Sequence, residues 1–364
     1  MKTFTVTLHH SNNYGALLQA YALQQVQFNM GIDNTIFEYP YSDGFYEKVN
    51  LCQPKSALAA LYFNFNKWMR KKAISRRAEG FRRFHRERMK LSRVYQSMED
   101  LRSDEIDADV LIAGSDQVWR FSGNKEFIPA RFLDFGKPNV RKLSYAASVE
   151  KLNYTNKEKQ QVREWLSGYD GISLREESAR AYISEIIGKN AERVLDPVFL
   201  LTEEQWSEIA VSRGTEEPYI LCYQVQTCPH MQRVVDSLKK LTGYRTVAVL
   251  PGSVKYIHTD ETLFDVTPEE FIGLYKKACA VVSGSFHGTA FGYLFGKPTY
   301  SLTREGSASR IKELAKLCKT DAFCINNQSE IPLLEEFNVA EVGERLAAQR
   351  MKSFDYLKEH LLHR

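Results

Sequence analysis

The chain has 364 residues, 43% of them hydrophobic and 26% charged, with a net charge of +4. That is material for two globular domains with their own cores, and it excludes a disordered or fibrous chain. No apolar run reaches the roughly 18 residues of a membrane span, and Met1–Leu8 alternates like a strand instead of carrying a signal peptide's apolar core.

In chain order, Thr3–Leu8 reads as a strand, His9–Gly15 as a loop and Ala16–Phe28 as a helix, with Leu17, Leu18, Tyr21, Leu23 and Val26 at helical spacing. Thr35–Tyr39 is the next strand, so the chain opens as a βαβ unit, the seed of a doubly wound sheet. Its first loop, Asn12-Asn-Tyr-Gly15, lies at the strand's carboxyl end, where such sheets bind ligands; Asn and Gly there serve turn chemistry equally well. Asp43–Met98 breaks this rhythm, and a helical pair is expected over about 45–98 as an insertion beside the first domain. Lys67–Arg93 holds twelve Lys or Arg against Glu79 and Glu87, which leaves the rest of the chain net acidic by six. Such a run is a solvated face, a surface for an anionic membrane leaflet, or a nucleic-acid patch, the last without a recognised binding motif.

Asp109–Ala113 resumes the strand pattern, followed by the loop Gly114-Ser-Asp-Gln117, in which Asp116 is either a base or a cap. Lys142–Ala147 and Gly171–Leu174 are further strands, Asn156–Leu166 is a helix, and Arg175-Glu-Glu-Ser178 opens another. Arg193–Pro197 closes a first domain of residues 1–200. The second, 201–364, starts with a helix at 202–211 and a polar stretch at 212–218. Then come strands Tyr219–Tyr223 and Thr246–Leu250 around the helix Met231–Thr242, and a helix start at Thr267-Pro-Glu-Glu270, ending in a long helix Val339–Leu362.

Within that domain Ala280–Val282 is a short buried strand, Ser283-Gly-Ser-Phe-His-Gly288 a tight turn, and Thr289–Phe295 a helix closed by Gly296 and Pro298. Strand, Gly/Ser/His turn and helix aim free N–H groups and a positive dipole end at an anion. His287 sits at that mouth among Ser283, Ser285, Gly288 and Thr289; the plainer alternative is an ordinary turn with a surface histidine. The six cysteines form no Cys-x-x-Cys pair, which points to reduced thiols in a cytoplasm. Cys228-Pro-His230 lacks a partner pair, so no metal is assigned.

Ser283-Gly-Ser-Phe-His-Gly-Thr289 with Phe295-Gly-Lys-Pro298 resembles the signature of the polysaccharide pyruvyl transferases. Asn13–Leu23, Gly114–Trp119, Ser144–Ser148, Ser173–Ser178 and Val194–Pro197 fit the same family in the same order. The resemblance implies an α/β, GT-B-like architecture: two Rossmann-like domains facing across a cleft, the basic helical insertion belonging to the first. It implies transfer of the enolpyruvyl group of phosphoenolpyruvate onto two hydroxyls of a sugar in a surface or capsular polysaccharide precursor. The product is a pyruvate ketal, and phosphate is released. Phosphoenolpyruvate is then a co-substrate and no cofactor is expected. The acceptor is a sugar or a lipid-linked oligosaccharide, the setting is the cytoplasm or the inner face of the membrane with peripheral contact to anionic lipid, and nucleic acid is not a partner.

That chemistry needs cations or N–H donors for a phosphate and a carboxylate, a proton donor, and a base. His287, with an ordinary pKa near 6.5, is the expected proton donor and Asp116 the expected base. Lys255, Arg304 and Arg310 join the Ser283–Thr289 turn on the donor side, and Asn13, Tyr14 and Gln117 face the acceptor. A nucleotide-sugar glycosyltransferase is the rival reading; against it, Ala290–Phe295 carries no acid to hold a ribose. A non-catalytic sugar-binding protein is the second alternative.

Overall fold

The computed structural model describes residues 1–10, 12–40, 57–149, 151–213, 216–225, 227–252, 255, 257–303 and 309–362. The first part of the chain runs β1 (Lys2–Val6), α1 (Tyr14–Asn29), β2 (Asp33–Glu38), α2 (Ala57–Met69), α3 (Lys71–Arg88), β3 (Leu91–Val94), α4 (Met98–Ser103) and β4 (Val110–Ala113). It continues through α5 (Ile128–Arg131), β5 (Arg141–Ser144), α6 (Asn156–Leu166), β6 (Ser173–Leu174), α7 (Glu177–Ile187) and β7 (Glu192–Arg193). The second part comprises α8 (Glu203–Glu208), β8 (Tyr219–Tyr223), α9 (Met231–Thr242), β9 (Arg245–Val249), β10 (Glu261–Leu263), α10 (Pro268–Lys277) and β11 (Ala280–Ser283). It ends with α11 (Phe286–Leu294), β12 (Thr299–Leu302), α12 (Ser309–Cys318), β13 (Cys324–Ile325) and α13 (Val339–Leu362).

Two large parallel sheets result, ordered β3-β2-β1-β4-β5 and β10-β9-β8-β11-β12-β13, and β6 and β7 pair in a small third one. Parallel strands are covered on both faces and read as unbroken apolar runs; β4, β8 and β11 are buried at every position. Thr155, Thr202 and Thr267 each start a helix with a reciprocal capping box, which satisfies otherwise orphaned N–H groups. Tyr356 of α13 donates to Ser144 O at 2.9 Å, Arg141 donates to His360 O at 2.7 Å, and Leu195 N donates to Ser353 Oγ at 2.9 Å. The helix at the end of the chain thus lies against the first sheet.

Three expectations change. The basic helical pair lies in the first domain, packed on α1 through Phe81 and Phe84, but it is not an insertion added to the sheet. It is the crossover from β2 to the edge strand β3, which registers Ile36 with Leu91. That strand is short and half exposed, so its alternation is weak. The run Lys67–Arg93 is a solvated face only in part: most of its Lys and Arg are exposed, but four arginines of α3 reach the second part of the chain. Arg76 forks onto Glu270 at 2.5 and 2.9 Å, Arg83 and Arg88 reach Glu269 at 3.4 and 3.5 Å, and Arg77 donates to Phe264 O at 2.9 Å. These arginines bind the crossover to the second sheet's helices. Burial alone would raise Glu270, yet Arg76, the Thr267 N–H and Arg213 hold it down to about 2. Finally, α11 begins at Phe286 and not at Thr289, with Ser285 as its N-cap. His287 therefore stands in a helical turn, not in a loop.

Where β1 and β2 end, α3 contributes His85 to a histidine cluster. His9 donates from Nε2 to Phe37 O at 3.0 Å, and its Nδ1 lies 3.3 Å from His85 Nε2. His10 Nδ1 lies 3.2 Å from Glu38 Oε1. Burial pushes His9 well below its ordinary value, His10 down to about 3 and His85 down, while it raises Glu38 to about 7. The three depressed histidines contribute stability that is present above pH 6.5 and lost as pH falls below it; Glu38 acts in the opposite sense between 4.5 and 7. With three groups against one, acidification from pH 7.5 to 5.5 should destabilise the protein. In His85→Asn that drop should shrink, read from urea midpoints at both pH values. An unchanged drop would remove His85 from the effect.

Candidate active site

Strand β11 delivers Ser283 into the turn before α11. Ser283 Oγ donates to Tyr223 O at 3.1 Å and accepts from Ser285 N at 3.1 Å, and Ser285 Oγ accepts from Gly288 N at 3.4 Å. A Cβ on Gly288 would lie 2.0 Å from Ser283 Oγ, so only glycine lets the helix pack this close to the strand. Thr289 pairs with Ser301 Oγ at 3.0 Å. Ser283 and Thr289 are fully buried: they shape the turn and offer no hydroxyl to a ligand, a correction to their expected donor contacts. What the turn presents is His287.

His287 reaches across to the first part of the chain. Its Nε2 is 3.5 Å from Asp196 Oδ2 without a formed hydrogen bond, and the two are an ion pair whenever the ring is protonated. On its other side Gly15, in the first turn of α1, presses on the ring; a Cβ there would stand 2.2 Å from Nδ1. Behind this histidine lies Arg175, its side chain 1% exposed, joined to Asp196 at 2.6 Å, Glu176 at 2.8 Å and Asp116 at 3.3 Å. Ser115 Oγ and Val198 N donate to the Asp196 carboxylate, both at 3.1 Å, and Ser148 Oγ donates to Glu176 at 3.0 Å. Burial would raise Asp196, but His287, Arg175 and the Val198 N–H hold it far below the usual carboxylate range. The Arg175 guanidinium, which burial alone would lower, is raised by Glu176, Asp196 and Asp116.

Asp116 takes a left-handed φ of 69°, tolerated by Asp more than by most residues, so that its carbonyl accepts from Val118 N at 2.7 Å and Ser148 N at 3.0 Å. Burial pushes its carboxyl up, yet Arg175, His287, Arg310 and Arg120 together hold it below its ordinary value. A carboxylate held ionised in this way is a weak proton acceptor and a strong electrostatic anchor, which argues against the expected base role. A narrow pocket opens beside the network, lined by Arg175, Glu176, Arg193 and Asp196 on one side and by Phe286, Arg310 and Glu313 on the other. Arg175 stacks over the Phe286 ring at 4.6 Å. Glu313 accepts from Glu177 N at 2.5 Å and from the Ser178 hydroxyl, so a carboxylate of α12 occupies the dipole end of α7.

Asp116, His287 and Arg310 lie close enough to act on one another, and Ser285 and Gly288 stand in the same helix start as His287. Asn13 caps α1, accepting from Gly15 N at 3.0 Å. Tyr14 is fully buried, stacks on Phe271 at 4.4 Å and donates its hydroxyl to Val266 O at 2.7 Å; it is committed to packing and cannot face a sugar. Gln117 is half buried beside Asp116. Lys255 is exposed, and no contact among the described residues joins it to the cluster. Arg304 lies outside the described residues. Sequence reasoning missed Arg175, Glu176, Asp196 and Gly15. Arg175-Glu-Glu and Leu195-Asp-Pro were visible as segments, but nothing in the sequence shows that the two loops meet around one guanidinium.

The polysaccharide pyruvyl transferase family model matches residues 13–306. No curated protein matches the chain in sequence. Among solved structures, an alpha-glucosyltransferase in complex with UDP and a 13-mer DNA is similar, with 10% identity and a TM-score of 0.50 over 99% of this chain and 95% of that one. UDP-GlcNAc 2-epimerases of Neisseria meningitidis and Methanocaldococcus jannaschii reach a TM-score of 0.46 at 13% and 12% identity. The first covers 99% of this chain and 94% of that one, the second 95% and 92%. At such identities the likeness is one of fold, the GT-B arrangement.

Gly15→Ala tests the contact across the cleft. Alanine suits a helix better than glycine by about 1 kcal/mol, so lost function cannot come from helix propensity. The displaced His287 ring should lower turnover by about tenfold or more with a melting temperature near wild type. Full activity would show that the ring's placement is not critical.

Proposed function

This chain belongs to the polysaccharide pyruvyl transferase family, and on that footing we propose that it ketalises a sugar of a surface or capsular polysaccharide precursor with phosphoenolpyruvate as donor. The observation that carries this reading is the placement of His287. It stands in the first turn of a helix, 3.5 Å from a carboxylate held ionised, with Arg310 lining the adjoining pocket. His287 supplies a proton to carbon 3 of the enol, and positive charge develops on carbon 2. One sugar hydroxyl attacks there and gives its proton to the His287 imidazole, which has just lost one and is thereby restored. The carbon–oxygen bond to phosphate breaks, the second hydroxyl closes the ring, and its proton leaves with the phosphate.

Asp196 stabilises the imidazolium and fixes the ring, the part a carboxylate plays behind any catalytic histidine. Arg310 and the first turn of α11 meet the donor's negative charge. Arg175 is saturated by three carboxylates, so it acts as the frame of the site and not as the donor's own ligand. Residues of the first sheet's loops, Asn13 and Gln117 among them, border the acceptor. The acceptor is a sugar or lipid-linked oligosaccharide, and the reaction runs on the cytoplasmic side of the membrane without a cofactor.

Phosphate release from phosphoenolpyruvate with a panel of nucleotide sugars and lipid-linked oligosaccharides is the direct test. No release with any acceptor would overturn the reading. His287→Ala should lower release by about a hundredfold, the usual scale for a general acid, with unchanged melting; activity within threefold of wild type would remove the histidine from the chemistry. Arg310→Ala should raise the donor constant and leave the acceptor constant alone, a loss of about 1.5–3 kcal/mol for one charge-assisted contact. A shift in the acceptor constant alone would reverse the assignment of the two sides.

A further inference from the structure

Helix α2 displays an apolar face turned to solvent. Leu61, Tyr62, Phe65, Trp68 and Met69 are 68%, 59%, 59%, 69% and 61% exposed. At 3.6 residues per turn they fall within an arc of about 120°. The helix is held in that orientation: Asn66 is 9% exposed, donates to Tyr62 O at 2.7 Å and accepts from Arg70 at 2.6 Å. Arg70 in turn stacks over Phe264 of the second part at 4.2 Å. Large contiguous apolar surface of this kind marks an interaction site.

Charge decides what the site fits. Residues 48–78 contain eight Lys or Arg and no acid. Arg76 and Arg77 of that set are engaged with the second part. Lys71 and Lys72, directly after α2, are exposed and take no carboxylate among the described residues. Trp, Tyr, Phe and Leu on one face with lysines at its end is the make-up of a helix lying in a membrane interface. A single convex helix needs no preformed groove in lipid, whereas a protein partner would have to supply one.

We infer that the exposed face of α2, with Lys71 and Lys72, seats the protein on an anionic bilayer surface. This deepens the proposed reaction, since a lipid-borne acceptor would lie at the same surface; it rests on that reading for its purpose but not for its test. Full-length protein is sedimented with vesicles of phosphatidylcholine alone or mixed with phosphatidylglycerol, at low and high salt. Binding is expected to the anionic vesicles at low salt, and salt should weaken it. Phe65→Ser/Trp68→Ser and Lys71→Glu/Lys72→Glu should each lower partitioning by about tenfold or more, with melting unchanged.

The inference falls if wild type stays in the supernatant with anionic vesicles, or if both variants bind as wild type does. It falls equally if wild type is an oligomer that Phe65→Ser/Trp68→Ser turns into monomer, because a second copy would then cover the face. Phosphate release with a water-soluble acceptor is measured in parallel and should be the same in Phe65→Ser/Trp68→Ser as in wild type. Its absence in wild type would sink the proposed reaction and leave the vesicle result standing.

Discussion

A guanidinium buried to 1% exposure cannot remain without counter-charge, and Arg175 meets that demand with Asp116, Glu176 and Asp196. Removing one partner from such a group costs about 3–5 kcal/mol, because the remaining charge stays buried. The carboxylates come from three separate loops, those after β4, β6 and β7, so satisfying one cation fixes all three loops. Asp196 then passes the constraint across the cleft to His287, whose ring is held on its other side by Gly15. The helix turn that carries His287 owes its tightness to Gly288 and Ser283, but its aim comes from this network.

The same cleft is bridged at its margins by charge. Arg76, Arg83 and Arg88 on the β2–β3 crossover meet Glu269 and Glu270 at the start of α10, and Glu313 meets the start of α7 from the other side. In each case a carboxylate lies within the first turn of a helix, where the dipole favours it. These ties are polar and partly exposed, unlike the apolar packing inside each sheet. Apolar packing also crosses between the two parts, with Tyr14 stacked on Phe271 at 4.4 Å and Tyr21 packed against Trp206 at 5.8 Å, so core as well as charge joins them.

Much of the fold was legible because each parallel strand is a short apolar run followed by a capped helix. Thr267-Pro-Glu-Glu is read as a helix start from sequence alone, and Ala280–Val282 as a buried strand. The edge strand Leu91–Val94 was not, because a half-exposed edge loses the apolar pattern. His287 and Arg310 were legible in their Gly/Ser turns. Arg175 and Asp196 were not, since a charge in sequence shows neither its burial nor its partner. Lys67–Arg93 makes the same point from the opposite direction: a block of positive charge resembles a surface patch until Glu269 and Glu270, nearly two hundred residues away, are placed beside it. Tyr14 was misjudged because a tyrosine next to a ligand loop can bury its ring and spend its hydroxyl on a carbonyl.

The return of α13 to the first sheet bears on how the protein is made. Tyr356 pairs with Ser144 across a separation of 212 residues, and Ser353 with Leu195 across 158. During synthesis the strands of the first sheet leave the ribosome long before the helix that covers β5 and the Leu195 loop. Domains ordinarily fold in the order in which they emerge, but here the first must wait with part of its surface open until the second has been translated. The loop that this helix pins runs directly into Asp196, so the carboxylate behind His287 reaches its final position only when both halves are present. An unfinished chain cannot bring Asp196 and His287 together.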